Sequence, residues 1–490
     1  MKKLNIEIKE YRQPKLDKKF IPIGLFNKSF LASAGRDCPI GIAVEAADGQ
    51  IEVFNTFIHG TEDKFDADCY YIERVAKTML WMKGGFRIYV SGKVEDSSNK
   101  DSVNIEGETN NVDIAHNIET VKRIYEYLKR VYSPEGERAF DYEFMGTTYN
   151  EIFEVVFVEN LPEKKDNRKK LGGHTDGCRI GFDAGGSDRK VSAVIDGESV
   201  FSEETVWHPK TTEDPSYHYE GITAALRAAA AHLPKVDAVG VSTAGIVINN
   251  RIMQASLFNK VPRDLWKDHV NDIYINAVKD VFGDIPVEVA NDGDISAVAG
   301  VMSIGEPGVL GIAMGTSEAA GFVDGDGCIT GWLNELAFVP VDCAETAMED
   351  EWSGDIGCGV KYFSQDGIIK LAPRSGIELA EDLTPAEKLK VVQGLMEEGD
   401  ERAKEVYESI GVYLGHTLPF YYDLYGMKHV LLLGRVMSGK GGDLILKTAK
   451  EVLTEEYTDL ASKINVQLPD EKFRRVGQSA AAAGLPELRG

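Results

Sequence analysis

Short apolar runs that stop at Gly, Asp or Asn alternate along this chain with longer stretches whose apolar residues recur every three or four positions. The first pattern is that of buried strands and the second that of amphipathic helices. Before the middle of the chain it predicts strands over 40–44, 51–57 and 86–91, and helices over 69–82 and 113–131. A lysine-rich polar stretch, LPEKKDNRKKLGGHTDG (161–177), then reads as a linker, closed by a Gly-Gly pair.

Beyond it the alternation sharpens. Runs over 180–182, 191–195 and 200–207 predict a meander of three strands joined by small turns. A helix over 219–232 leads to a strand over 238–241, and a helix over 264–281 leads to a strand over 286–290. A short helix should start at Asp294, a suitable N-cap. The stretch LGIAMGTSEAAGFVDGDG (310–327) then restarts the pattern, followed by helices over 385–424 and a strand over 429–433. A meander followed by strands alternating with helices means an α/β fold with a mixed sheet, and here it occurs twice. The expected division is an N-terminal α/β domain over 1–165, a linker over 166–177, and two lobes over 178–305 and 306–490.

Composition narrows the class. At 490 residues the chain is too long for one ordinary core. A net charge of −25 argues against a nucleic-acid partner, since phosphates would be repelled. The opening MKKLNIEIKEYRQPK lacks the apolar run of a signal peptide, and Glu306 and Pro307 interrupt the most apolar region, so a cytoplasmic protein is expected. Six cysteines without a C-x-x-C pair point to reduced, buried side chains. The histidines show no metal-binding spacing.

Candidate chemistry lies at the turns. Asp183 ends an apolar strand, and Gly185, Gly186 and Ser187 follow it. Paired glycines let backbone amides approach an anion, and a neighbouring carboxylate suits Mg²⁺ held through water. Gly315, Thr316 and Ser317 repeat the arrangement, and two such hairpins could hold successive phosphates. Between them a strand delivers Asn291 and Asp292 to its C-terminal end, the edge where open α/β sheets bind ligands. Asp292 is placed to take a hydroxyl proton in phosphoryl transfer, while Asp294 caps the helix. The segment GRVMSGKGG (434–442) is one residue from a P-loop, but Gly441 stands where that loop needs a hydroxyl. It reads better as a turn against which adenosine lies, with Gly434, Arg435 and Gly439 at the ligand.

Taken in order, Asp183-Ala-Gly-Gly-Ser187, Val241-Ser-Thr-Ala-Gly245, Asn291-Asp292, Gly315-Thr316-Ser317 and Leu432-Leu-Gly434-Arg435-Val436 resemble the motifs of ROK-family sugar kinases, within the sugar kinase, Hsp70 and actin superfamily. The resemblance covers 178–490. It implies a duplicated RNase H-like (actin-like ATPase) fold with two lobes around a cleft, an ATP–Mg²⁺ site, and a sugar substrate. It implies Asp292 as general base, Asn291, Glu335 and Asn259 as sugar ligands, and a homo-dimer. Two departures stand out. Phe338 occupies the place of the family's histidine, and its zinc cysteine cluster is reduced to Cys358, so no zinc site is expected. A non-catalytic sugar or nucleotide sensor and an activator ATPase of the same superfamily are the alternatives. Ile40 to Gly49 loosely echoes Ile180 to Asp183, which raises a degenerate RNase H-like unit in the N-terminal region, able to cover the cleft, mediate dimerisation or bind a regulator.

Overall fold

The computed structural model describes residues 2–93, 114–170, 172–470 and 477–488. Asp113 and Leu171, inside the expected first-region helix and linker, lie outside the described residues.

The N-terminal sheet is built on a hairpin, β1 (Cys38–Glu45) and β2 (Ile51–Ile58), paired from Cys38↔Ile58 to Glu45↔Ile51. Strand β3 (Arg87–Ser91) joins β1 antiparallel and β4 (Glu154–Phe157) runs parallel to β3, giving the order β2-β1-β3-β4. Helices α1 (Ile23–Ala34), α2 (Phe65–Lys83), α3 (Ile114–Val131) and α4 (Ala139–Tyr149) complete the region.

In the first lobe β5 (Cys178–Ala184), β6 (Asp188–Ile195) and β7 (Glu198–Val206) form the antiparallel meander. Helix α5 (Pro215–Ala230) crosses to β8 (Ala238–Thr243), which runs parallel to β5. A small hairpin, β9 (Ile246–Ile248) and β10 (Arg251–Gln254), precedes helix α6 (Ile273–Phe282) and β11 (Val287–Asn291), parallel to β8. The sheet order is β11-β8-β5-β6-β7, a complete RNase H-like arrangement. The helix expected over 264–281 is broken before α6. Asn271 is drawn out of helical register by β10: its side chain and carbonyl both bond Ile252.

Helix α7 (Asp292–Ile304) leads into the second lobe, where β12 (Val309–Met314) and β13 (Glu318–Val323) form the second hairpin. After helices α8 (Pro385–Glu398) and α9 (Glu401–Tyr425), strand β14 (His429–Leu433) runs parallel to β12. Helix α10 (Gly439–Glu456), strand β15 (Asn465–Gln467) and helix α11 (Gln478–Ala483) close the chain. The order β13-β12-β14-β15 repeats the first lobe's plan without a third meander strand among the described residues.

The apolar packing divides the molecule differently from the chain order. Phe182, Trp207, Val241 and Trp266 belong to a core confined to the first lobe. Ile42, Trp81 and Ile88 belong to the same core as Leu310, Ile312, Leu418 and Leu432, so the N-terminal region and the second lobe are packed as one body. The polar stretch between them is pinned: Lys165 exchanges backbone hydrogen bonds with Ile51, and Lys169 with Ile329. Its charge hides this, because backbone pairing needs no apolar side chain. The echo at Ile40 is also only partial. Strand β1 is antiparallel to both neighbours, whereas β5 has a parallel partner in β8.

Candidate functional site

The first hairpin brings Asp183 near the end of β5, and the parallel register sets Ser242 of β8 beside it. Ser242 Oγ donates to Asp183 Oδ1 at 2.7 Å. Burial pushes the Asp183 carboxyl up to about 6; the Ser242 hydrogen bond opposes this and the neighbouring Asp292 charge adds to it. The turn is braced by Trp207, whose Nε1 donates to Gly185 O at 2.8 Å and whose backbone N donates to Ser187 O at 3.1 Å. Lys210 crowds this turn. A Cβ on Gly186 would stand 2.8 Å from Lys210 Nζ, so the ammonium lies directly against the loop. Glycines beneath an ammonium are a fit for phosphate, and Asp183 beside them for a hydrated Mg²⁺. Lys210 was not among the residues singled out by sequence, because it lies far downstream with no motif around it.

Strand β11 ends at Asn291 and α7 starts at once. Asn291, not Asp294, is the N-cap: its Oδ1 accepts from Gly293 N at 2.7 Å, and its Nδ2 donates to Gly245 O at 2.7 Å. The reason is positional, since the last extended residue caps and Asp294 already lies within the first helical turn. Asp294 turns inward instead, accepting from Phe322 N and from Asn334 Nδ2, each at 3.2 Å, and burial pushes its carboxyl up to about 7. Asp292 opens the helix. Burial raises its carboxyl too, against the Gly293 amide and the Lys210 charge.

The second hairpin pairs Met314 with Glu318 around Gly315, Thr316 and Ser317. Gly315 N donates to Ser317 O at 2.9 Å, and Thr316 and Ser317 are exposed. Glu318 is 2% exposed and neither carboxyl oxygen has a hydrogen-bond partner. Burial and the nearby Glu335 hold it well above the usual carboxylate range. Gly434, at φ +93°, presses on this hairpin: a Cβ there would lie 2.3 Å from Met314 O. Arg435 is exposed, with its carbonyl accepting from Gln393 Nε2 at 2.8 Å, and exposed Gly439 opens α10.

Glu335 is fixed by the N-terminal region. Its backbone N donates to Trp81 O, and Asn334 N to Met82 O, both at 2.9 Å, so the end of α2 holds the loop. Burial and Asp292 push the Glu335 carboxyl up to about 7. Phe338 packs on Trp81, ring centroids 4.2 Å apart. Near Cys358 an ion cluster is buried: Asp355 meets Arg74 at 2.9 Å and Lys77 and Arg138 at 2.8 Å. Against the cost of burial these cations hold Asp355 well below the usual range. Among the described residues no group of three or more His, Cys, Asp or Glu is placed to hold a metal ion.

Between the N-terminal region and the first lobe lies a cleft of about 140 Å³, lined by the 46–50 turn, the β9–β10 hairpin, the end of β11 and the 329–333 loop. Asn291 and Asp294 face it; Asn259, exposed at the end of a short turn, does not line it. Asp183 and Glu335 feel the charge of Asp292, Glu318 that of Glu335, and Asp292 that of Lys210.

No family model and no curated protein matches the chain. Solved structures do. A ROK-family transcriptional regulator, homologous to the E. coli MLC protein, is 16% identical with TM-score 0.50 over 63% of this chain and 76% of its own. A ROK hexokinase from Thermus thermophilus is 17% identical, TM-score 0.49, over 62% and 96%. A ROK glucokinase from Streptomyces griseus, in complex with glucose and AMPPNP, is 19% identical, TM-score 0.43, over 63% and 97%. At these identities the likeness establishes the fold: a two-lobed α/β architecture of the kind ROK-family proteins carry, with an N-terminal region added to it. No helix among the described residues is long and apolar enough to cross a membrane.

Proposed function

We propose that this chain is an ATP-dependent sugar kinase, with its lobes at 178–305 and 306–490. The reading rests on one observation above all: Asp183 near the end of β5 and Asp292 just past the end of β11 lie in one sheet, Asp183 feeling the charge of Asp292, beside a glycine turn that Lys210 approaches. Bound ATP–Mg²⁺ would supply the phosphoryl group and the charge that eases its transfer.

The chain's own residues supply the rest. Gly185, Gly186 and Ser187, with Lys210, would hold one end of the polyphosphate, and Gly315, Thr316 and Ser317 the other. Gly434, Arg435 and Gly439 would take the adenosine, and Asp183 the hydrated Mg²⁺. Asp292 would accept the proton of the attacking hydroxyl; its raised carboxyl suits a base working near neutral pH. Glu335 would bond a second hydroxyl. Asn291 keeps one amide N–H for the acceptor after bonding Gly245 O. Asn259 would reach the sugar only from outside the cleft.

The experiment is sugar-dependent ADP release over a broad panel of sugars, run alongside ligand-induced melting shifts. ADP release with at least one sugar supports the kinase. Sugar-induced shifts without ADP release would instead favour a non-catalytic sensor, the reading to which Phe338 packed on Trp81 lends weight.

A further inference from the structure

A second cluster of chemistry-bearing side chains lies in the N-terminal region, outside the duplicated fold. Ser33 stands in the last turn of α1, His59 directly follows β2, and Asp68 lies in the first turn of α2. No motif links them in the sequence; the packing of three elements brings them into line. Ser33 Oγ lies 2.9 Å from His59 Nε2, and His59 Nδ1 lies 2.8 Å from Asp68 Oδ1. Asp68 is fully buried and also accepts from the backbone N of His59 at 3.0 Å and of Gly60 at 2.9 Å. The Phe30 and His59 rings meet edge to face, centroids 4.7 Å apart, so the imidazole is held on a second side.

This order of contacts fixes the protons. A carboxylate only accepts, so Nδ1 carries the imidazole hydrogen toward Asp68 and Nε2 keeps a lone pair. That lone pair faces the Ser33 hydroxyl, which is the arrangement of nucleophile, base and orienting acid that acyl transfer uses. The Phe30 carbonyl, 2.9 Å from Ser33 Oγ, is the hydroxyl's resting alternative. When the proton moves to Nε2, the imidazolium stands between the Asp68 carboxylate and the carbonyl end of α1, and both favour a cation. The His59 side chain is 6% exposed, whereas Ser33, Gly35 and Arg36 are exposed. A Cβ on Gly35 would meet nothing within 4 Å. The base is shielded while the nucleophile is reachable.

We propose that Ser33, His59 and Asp68 form a second active site, which hydrolyses carboxylic esters of small acyl groups independently of the kinase reading. Ser33 Oγ attacks the ester carbonyl carbon and its proton passes to His59 Nε2. The bond from that carbon to the alcohol oxygen breaks, and the alcohol leaves with the proton from His59. Water then attacks the acyl-Ser33 carbonyl and gives a proton to His59, which returns it to Ser33 Oγ as the carboxylic acid departs. Ser33 and His59 are the catalytic residues; Asp68 is a positioning residue that sets the imidazole tautomer. The exposed approach to Ser33 suits a small acyl group, which needs no enclosing pocket.

The test uses the full chain, p-nitrophenyl acetate as the ester, and a fluorophosphonate probe that bonds covalently to an activated serine. Peptide mass spectrometry should find the probe on Ser33, and ester hydrolysis should exceed that of Ser33→Ala about a hundredfold or more. Ser33 is exposed, so Ser33→Ala should keep the wild-type melting temperature. His59→Gln should abolish labelling at Ser33 and lower kcat to a like extent. Asp68→Asn should lower kcat about a hundredfold or more while KM for the ester stays in place, because the imidazole loses its tautomer; a merely structural role would move both. Should either of these buried-side variants unfold, Ser33→Ala and the probe decide alone. Labelling spread over other residues, or hydrolysis equal in wild type and Ser33→Ala, would overturn the inference. Neither result bears on sugar-dependent ADP release, which Ser33→Ala should leave unchanged.

Discussion

The two lobes repeat one plan and complete it differently. The first has a five-stranded sheet with a core of its own; the second has four strands and shares its core with the N-terminal region. Their hairpins differ in the same sense. In the first, Asp183 is buried but receives the Ser242 hydroxyl, in the second, Glu318 is buried with nothing bonded to it. The second lobe is covered: α2 runs over it, holds Glu335, and sets Arg74 and Lys77 against Asp355. The difference teaches that the added region is part of the site's construction rather than an appendage, because removing it would expose both the core and the loop that carries Glu335.

The largest expected effect tests where the lobes meet. Asp292→Asn should lower turnover about a thousandfold while sugar and nucleotide still raise the melting temperature, the signature of a lost base in an intact site. Next, Arg74→Met leaves Glu73 and Asp355 buried with fewer cations and should cost about 3 kcal/mol in urea unfolding. Amide exchange should then speed up in the second lobe more than in the first. If both lobes loosen equally, the shared core is not what distinguishes them. Lys210→Ala, which removes the ammonium from the first turn, should raise the KM for ATP about tenfold and leave the acceptor KM in place.

The buried acids have a pH signature. In the folded chain Asp183 holds its proton up to about 6, and Asp294 and Glu335 up to about 7; unfolded carboxyls release theirs near pH 4. The folded state therefore binds more protons across that window. The stability these groups contribute is full below about pH 4 and is lost as pH rises through about 7. Asp294→Asn should flatten that loss when denaturant unfolding is compared at about pH 5 and about pH 8. The smallest effect is expected at Glu318→Gln. A carboxyl held neutral by burial is close in shape to an amide, so stability at neutral pH should change by about 0.5 kcal/mol or less. A much larger gain would mean that Glu318 is ionised and that the two hairpins are electrostatically alike.

Much of the second half was readable because its signals are local. Apolar runs over 180–182 and 310–314 mark strands by composition alone, and small residues at 185–187 and 315–317 mark the turns between them. Asn291 and Asp292 could be placed at a strand end for the same reason. The capping assignment failed by a few positions because helix starts depend on where the strand stops, which the sheet register decides. Lys210 and Ser242 escaped notice as partners of the site since each acts through a neighbour distant in the chain. Nothing local marks Arg74, Lys77 and Arg138 as counter-ions of Asp355, and a polar stretch gives no sign that Lys165 pairs with Ile51.

What the sequence determined by itself was the repeated strand–turn–strand plan, the acids at its edges and the chain's negative charge, all of which follow from side-chain periodicity and composition. Tertiary structure alone decided that the N-terminal region and the second lobe form one body, that Glu335 hangs from the end of α2, and that the cleft has a second wall. Those outcomes depend on long-range burial and backbone pairing, whose free energy is gained only when distant segments meet, and no local pattern encodes the meeting.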